Sequence, residues 1–152
     1  MKKNISLKDA VAMVKDGATI MVGGFLGTGA PAQLIDALVE SGVKDLTVIA
    51  NDTVFDGQGW GKLIENRQVK KIIASYIGGN AASVNQMNAG EIEVEFVPQG
   101  TLAERIRAKG AGLGGVLTPT GLDTVVEHGK KRINIDGKDY LIEKPLGADF
   151  AF

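Results

Sequence analysis

The sequence contains no cysteine. That excludes a disulfide framework, thiolate catalysis and zinc sites built on sulfur, and it fits a reducing, cytoplasmic setting. Neither sign of charge is in excess: 17 Lys and Arg stand against 18 Asp and Glu, a net charge of −1. No broad positive field therefore gathers nucleic acid or an anionic membrane surface. No apolar run approaches the ~18 residues that span a bilayer. The opening Met-Lys-Lys-Asn-Ile-Ser-Leu-Lys-Asp is too polar for a signal peptide. The only histidine, His128, lies in Val-Glu-His-Gly-Lys-Lys-Arg and reads as a solvated turn. No Ser–His–Asp set assembles around it, and no metal-ligating constellation is visible. Gly-Lys-Ser/Thr occurs nowhere, so the phosphate loop of Walker A type is absent.

Glycine, by contrast, is plentiful: 21 of 152 residues. It clusters between apolar segments, as punctuation does. The richest cluster is Gly23-Gly24-Phe25-Leu26-Gly27-Thr28-Gly29, which follows the apolar Thr19 to Val22 and precedes a helical pattern opening at Pro31. Glycines crowd such a junction when backbone must approach a ligand or take φ > 0. The loop N–H groups and the positive end of the next helix then face outward together, a geometry that suits phosphates or a developing oxyanion.

The remaining periodicity predicts a helix capped by Ser6 and ended by Gly17, a strand over 19–22, and a helix over 31–39 stopped by Gly42. Strands follow at 46–50, 69–76 and 92–97, with helices at 63–68 and 81–89 and one over 102–108 capped by Thr101. Four strand–helix alternations predict an α/β fold, a mainly parallel sheet with helices on both faces, in a single domain over residues 1–152. Ligands bind beyond the carboxyl ends of such strands, where the glycine loop, Asn51-Asp52, Gly78-Gly79-Asn80 and Pro98-Gln99-Gly100 all fall. The stretch 132–142 (RINIDGKDYLI) predicts a β-hairpin turning at Asp136-Gly137. The final Ala148 to Phe152 reads as strand without a terminator, the expectation for a fragment or for a sheet completed by a partner.

Several chemistries remain open on residues alone. Gly27 to Ala32 matches G-x-G-x-x-A, with Asp52 near the place of a ribose-binding acid, but Gly23, Gly24 and Phe25 intervene after the strand. Arg105 and Lys109 share a helix face, either solvated or drawing ligand phosphates. The amides of Gln99, Asn51 and Asn80 can donate to a carbonyl or oxyanion. Glu91, Glu93 and Glu95 alternate along a strand as partners for nearby Lys or Arg. No nucleophile or base stands out, so the chain either only binds or supplies half a site.

Asp16-Gly17, the hydrophobic Ile20, Met21 and Val22, then Gly23-Gly24-Phe25, Gly29 and Pro31 resemble the signature of family I coenzyme A transferases. LTVIANDT at 46–53, KKIIASYIG at 70–78, VPQGTLAERIRAKGAGLGGVLTPTG at 97–121 and DGKDYLIEKPLGAD at 136–149 are similar to alpha subunits of acetate/butyrate–acetoacetate CoA-transferases. The resemblance covers essentially the whole chain. It implies transfer of CoA between short-chain carboxylic acids by a ping-pong route, through a glutamyl-CoA thioester on a partner beta subunit in a heterodimer or heterotetramer. It implies CoA as substrate and no permanently bound cofactor or metal. The nearest string to the glutamate motif is Glu65-Asn66-Arg67, with arginine in place of glycine, so no nucleophile is assigned to this chain. By position, Gly23, Gly24, Phe25, Leu26, Gly27, Thr28 and Gly29 match the CoA-binding loop, and Gln99 falls in a turn where it can stabilise an oxyanion. Gly24→Val is expected to block CoA with little loss of folded protein. Similar alpha subunits run longer, so the family's C-terminal part is expected to be missing. The rival readings are a nucleotide-binding or sensing module without catalysis and a fragment of an NAD-dependent oxidoreductase.

Overall fold

The computed structural model describes residues 4–152. Its contacts divide into two compact units, one formed by the described residues up to Glu95 together with Ala148–Phe152, the other by Phe96–Gly147.

The first unit opens with α1 (Leu7–Met13), whose N-cap Ser6 accepts a hydrogen bond from the Asp9 N–H. The helix ends at Val14 rather than at Gly17. Gly17 instead takes φ 78 in the turn that leads into β1 (Thr19–Val22). Next come α2 (Ala32–Ser41), β2 (Leu46–Ala50), the short α3 (Gly61–Glu65), β3 (Val69–Ala74), α4 (Ala81–Asn88) and β4 (Glu93–Phe96). Pro31 is the N-cap of α2 and Gly42 closes it in the left-handed conformation, φ 68. Ile35 and Leu38, one turn apart, bury the inner face of that helix.

The sheet order is β4-β3-β2-β1-β8, with β8 formed by Phe150–Ala151. β1, β2, β3 and β8 pair in parallel, with Ile20 opposite Val48 and Phe150, and Val48 opposite Ile72. This is the mainly parallel α/β architecture that the alternation predicts. Val48 and Ile49 point to opposite faces and both are buried, so β2 is covered on both sides. The core runs from Val11 and Val14 through Ile20, Ile35, Leu38 and Leu46 to Trp60, Leu63, Ile64 and Ile72. Consecutive helices pack in series, α1 on α2, α2 on α3 and α3 on α4.

The second unit holds α5 (Gln99–Gly110) and a three-stranded antiparallel sheet, order β5-β7-β6, from β5 (Val116–Thr118), β6 (Lys131–Ile135) and β7 (Lys138–Glu143). The hairpin turns where the sequence places it: Asp136 and Gly137 take φ 51 and φ 81, the left-handed pair that a two-residue turn needs. α5 begins three residues earlier than expected. Pro98, φ −52, is its N-cap and its carbonyl accepts from Leu102 N–H. Thr101 is thus not a cap; it lies inside the helix, buried, and its hydroxyl has no partner among the described residues. Buried apolar residues here are few: Val97, Leu102, Ala108 and Leu141. A buried ion cluster supplements them. Glu143, 2% exposed, pairs with Lys130, and Arg105 lies 4.0 Å from its other oxygen.

Among the described residues no helix is long and apolar enough to cross a membrane, and no three acidic or histidine side chains gather to hold a metal ion.

Candidate ligand-binding site

The carboxyl ends of β1, β2 and β3 lie side by side, so the segments that leave them share one edge of the first unit. The segment after β1 is the glycine loop. Its centre is a tight two-residue turn. Phe25 N–H donates to Thr28 O (3.1 Å) and Thr28 N–H donates to Phe25 O (2.9 Å), while Leu26 and Gly27 take φ 48 and φ 83. Gly23 N–H donates to Phe152 O at 2.8 Å, which ties the base of the loop to the end of β8. The N–H groups of Gly24, Gly27 and Gly29 have no partner among the described residues. Gly23, Gly24, Phe25, Thr28 and Gly29 are exposed, the Phe25 ring to 62%. Behind them, α2 starts at a proline with no side-chain cap, so the first N–H groups of that helix are also unclaimed by side chains. The loop is thus a largely exposed turn in which the N–H groups of Gly24, Gly27 and Gly29 stay unclaimed, while those of Gly23, Phe25, Leu26 and Thr28 are used within the fold. Gly24 has no spare room. A Cβ there would sit 2.8 Å from Thr28 O and 3.2 Å from Ala30 N, at φ +117. Any side chain at Gly24 thus deforms the loop itself, rather than only shielding an intact one.

The segment after β2 supports that loop from below. Asp52 is buried, 4% exposed, and both its oxygens accept from backbone: Oδ2 from Leu26 N–H (3.0 Å) and Oδ1 from Val54 N–H (2.8 Å). Its carbonyl accepts from Trp60 Nε1–H at 3.0 Å. Asp52 therefore faces inward and is not placed as a ribose-binding acid. Val54, φ 62, is buried beneath the loop: a Cβ on Gly27 would meet its Cγ1 at 3.0 Å. Sequence reasoning missed Val54, because a β-branched residue is the last one expected at positive φ.

The segment after β3 is structural where a donor was expected. Asn80 is fully buried; its Oδ1 caps α4 by accepting from Ser83 N–H (2.9 Å), and its Nδ2 donates to Glu65 Oε1 (3.2 Å). The same Glu65 oxygen accepts from Gly57 N–H at 2.7 Å, so Glu65 braces a loop. Asn51 contributes its carbonyl, which accepts from Ser75 N–H and Oγ–H. Exposed aromatic rings, Phe55 and Tyr76, flank Gly78-Gly79 on this edge.

In the second unit Gln99 is exposed as the first residue of α5. Arg105 is not a solvated surface residue. It is 8% exposed, and its Nε donates to Lys144 O at 2.9 Å. Lys109, one turn on, is exposed. His128 is exposed and ends a short 3-10 turn, as its sequence suggests. The shifted ionisations belong to surface pairs. A hydrogen bond from Lys71 to Glu93, aided by Glu95, holds the ammonium above its ordinary range. The Arg132 guanidinium bonds Glu127 and holds that carboxyl below the usual range. Glu91 pairs with Arg67.

Comparison with known proteins shows the family. Residues 4–152 match the family described as coenzyme A transferase. The chain belongs to the coenzyme A transferase family. It is 57% identical over 149 residues to the acetate CoA-transferase subunit alpha of Escherichia coli K12, covering 98% of this chain and 68% of that protein. It is 56% identical to the acetoacetyl-CoA:acetate/butyrate CoA transferase alpha subunit of Clostridium acetobutylicum, with the same coverage. Among solved structures, an acyl-CoA transferase of Escherichia coli O157:H7, in thioester complex with CoA, superposes with a TM-score of 0.86 at 25% identity. That match covers 97% of this chain and 33% of the solved one. The chain thus represents a CoA-transferase subunit of alpha type, spanning 68% of the length of these two curated relatives.

Proposed function

We propose that this transferase chain is the alpha half of an enzyme that moves CoA between short-chain carboxylic acids such as acetate, butyrate and acetoacetate. The glycine loop carries this reading: an exposed turn with three unclaimed N–H groups beside the start of α2, on a chain without an evident nucleophile. Residues 23–29 hold the phosphate-bearing part of CoA through those N–H groups and the positive end of the helix. The loop has no charge of its own, so it binds by oriented dipoles and can approach closely. The Gln99 amide donates to the oxyanion that forms when the thioester carbonyl is attacked.

The attacking glutamate belongs to a partner beta subunit. It accepts the acyl group as an anhydride and then carries CoA as a thioester until the second acid takes it, a ping-pong sequence. Glu65 is not assigned this role, since Arg67 stands where the glutamate motif needs glycine and Gly57 and Asn80 both donate to its Oε1. The assembly is a heterodimer or heterotetramer in the cytoplasm, with CoA as substrate and no resident cofactor. A dinucleotide site is disfavoured, because Asp52, the acid it would need, is buried beneath the loop.

Co-production with the protein encoded by the neighbouring reading frame, followed by an exchange assay with acetoacetyl-CoA and acetate, tests the proposal. CoA exchange that needs both chains is the expected result. No exchange from a well-folded complex, or tight NAD binding without CoA binding, would overturn it.

A further inference from the structure

We infer that Asp52 is a positioning residue, whose carboxylate holds the glycine loop in the shape that leaves the N–H groups of Gly24, Gly27 and Gly29 outward. The inference rests on the proposed reading of that loop as the CoA cradle. Its basis is a mismatch between a turn and its residues. Leu26 and Gly27, both at positive φ between the mutually bonded Phe25 and Thr28, have the pattern of a type I′ turn. That turn favours Asn, Asp or Gly at its first central position. Leucine there has neither a short polar side chain nor freedom from Cβ crowding. Val54 is a more severe case, being β-branched and at φ 62.

Each of these two misfit residues donates its N–H to a different oxygen of the same buried carboxylate. The two halves of the bracket also touch, since Val54 lies against Gly27. A charged acceptor strengthens both bonds. One side chain therefore fixes two unfavourable backbone conformations, one of them 26 residues away from it in sequence. Strain held in this way beside a ligand site is a means of preorganisation. Asparagine cannot replace Asp52, because its amide nitrogen would oppose one of the two N–H donors.

The test uses the complex with its partner subunit. In Asp52→Asn, amide exchange at Leu26 or at Val54, whichever faces the amide nitrogen, is expected to speed about ten- to a hundredfold, the loss of one charge-assisted bond. The KM for acyl-CoA rises about tenfold while kcat changes less than about threefold, the mark of lost binding common to ground and transition states. Adding Leu26→Asn, which creates the favoured Asn-Gly turn, restores most of the KM. Unchanged exchange at both Leu26 and Val54 overturns the inference, as does a raised KM that Leu26→Asn leaves unrelieved. If Asp52→Asn fails to fold, Leu26→Asn in the unaltered protein carries the test. Exchange at residue 26 slows if the turn is held against its preference, and unchanged exchange there overturns the inference. Absence of CoA exchange in the unaltered complex would instead defeat the functional reading and leave the amide result to judge Asp52.

Discussion

Adjacent glycines in the loop have different duties. At Gly23 a Cβ would make an ordinary 3.5 Å contact with Phe152 O, whereas at Gly24 it would meet Thr28 O at 2.8 Å with φ +117. Gly23→Ala is therefore expected to change stability by less than about 0.5 kcal/mol. Gly24→Ala should cost about 1–3 kcal/mol, the range for residues forced into sparsely populated backbone. Urea titration of the two variants checks this; equal effects would show that the loop adapts freely. Asn80 offers a second residue-scale test. Asn80→Ala removes the α4 cap, at about 1 kcal/mol, and strips Glu65 of one donor. Amide exchange at Ser83 should accelerate while the first turn of α2 keeps its protection.

Among elements, the β6–β7 hairpin carries the clearest pH dependence. Arg132 on β6 bonds Glu127 and Asp123 of the preceding turn and lies 3.5 Å from Asp139 on β7. Its bond to Glu127 holds that carboxyl below its usual value of 4.5. The folded state therefore prefers the ionised form. The stabilisation is present above the ordinary carboxylate range and is lost as pH falls through the lowered value. Amide exchange in residues 123–143, corrected for intrinsic rates, should accelerate as the solution is taken below about pH 4. Arg132→Gln should flatten that dependence. High salt should weaken the effect, because Arg132 and Asp123 are exposed and Glu127 and Asp139 are only half-buried.

At the scale of the whole molecule, the two units are stabilised differently. The first has a continuous apolar core around its parallel sheet. The second has four buried apolar residues and a buried carboxylate, Glu143, neutralised by Lys130 and Arg105. Breaking a buried pair leaves an uncompensated charge, which costs about 3–5 kcal/mol. Lys130 is partly exposed, so Lys130→Ala should fall near about 3 kcal/mol. Native-state exchange within Phe96–Gly147 reads that loss. An unchanged exchange pattern there would show that Arg105 alone neutralises Glu143.

What the sequence determined by itself is what neighbours in the chain dictate. Alternating apolar segments specify the strands β1 and β2 to the residue, Ser6 and Gly42 mark helix ends, and Asp136-Gly137 sets the hairpin. The tight turn at 23–29 was legible for the same reason: four glycines between a strand and a helix mark backbone at positive φ, as Gly24, Gly27 and Gly29 show. Tertiary structure alone decided the partners of charged and polar side chains. Asp52 looked like a ligand acid and is a backbone acceptor; Asn80 looked like a donor to substrate and is a buried cap; Arg105 looked like surface and is buried against Lys144 and Glu143. A carboxylate or amide bonds whatever lies within about 3 Å; Val54 and Ser83 are chain neighbours of Asp52 and Asn80, but Leu26, Glu65 and Lys144 are brought to Asp52, Asn80 and Arg105 by sheet order and loop path. Leu26 and Val54 mark the limit most clearly. Their left-handed backbones oppose their own preferences, and both donate to the Asp52 carboxylate, which is local to Val54 but reaches Leu26 from the end of the neighbouring strand.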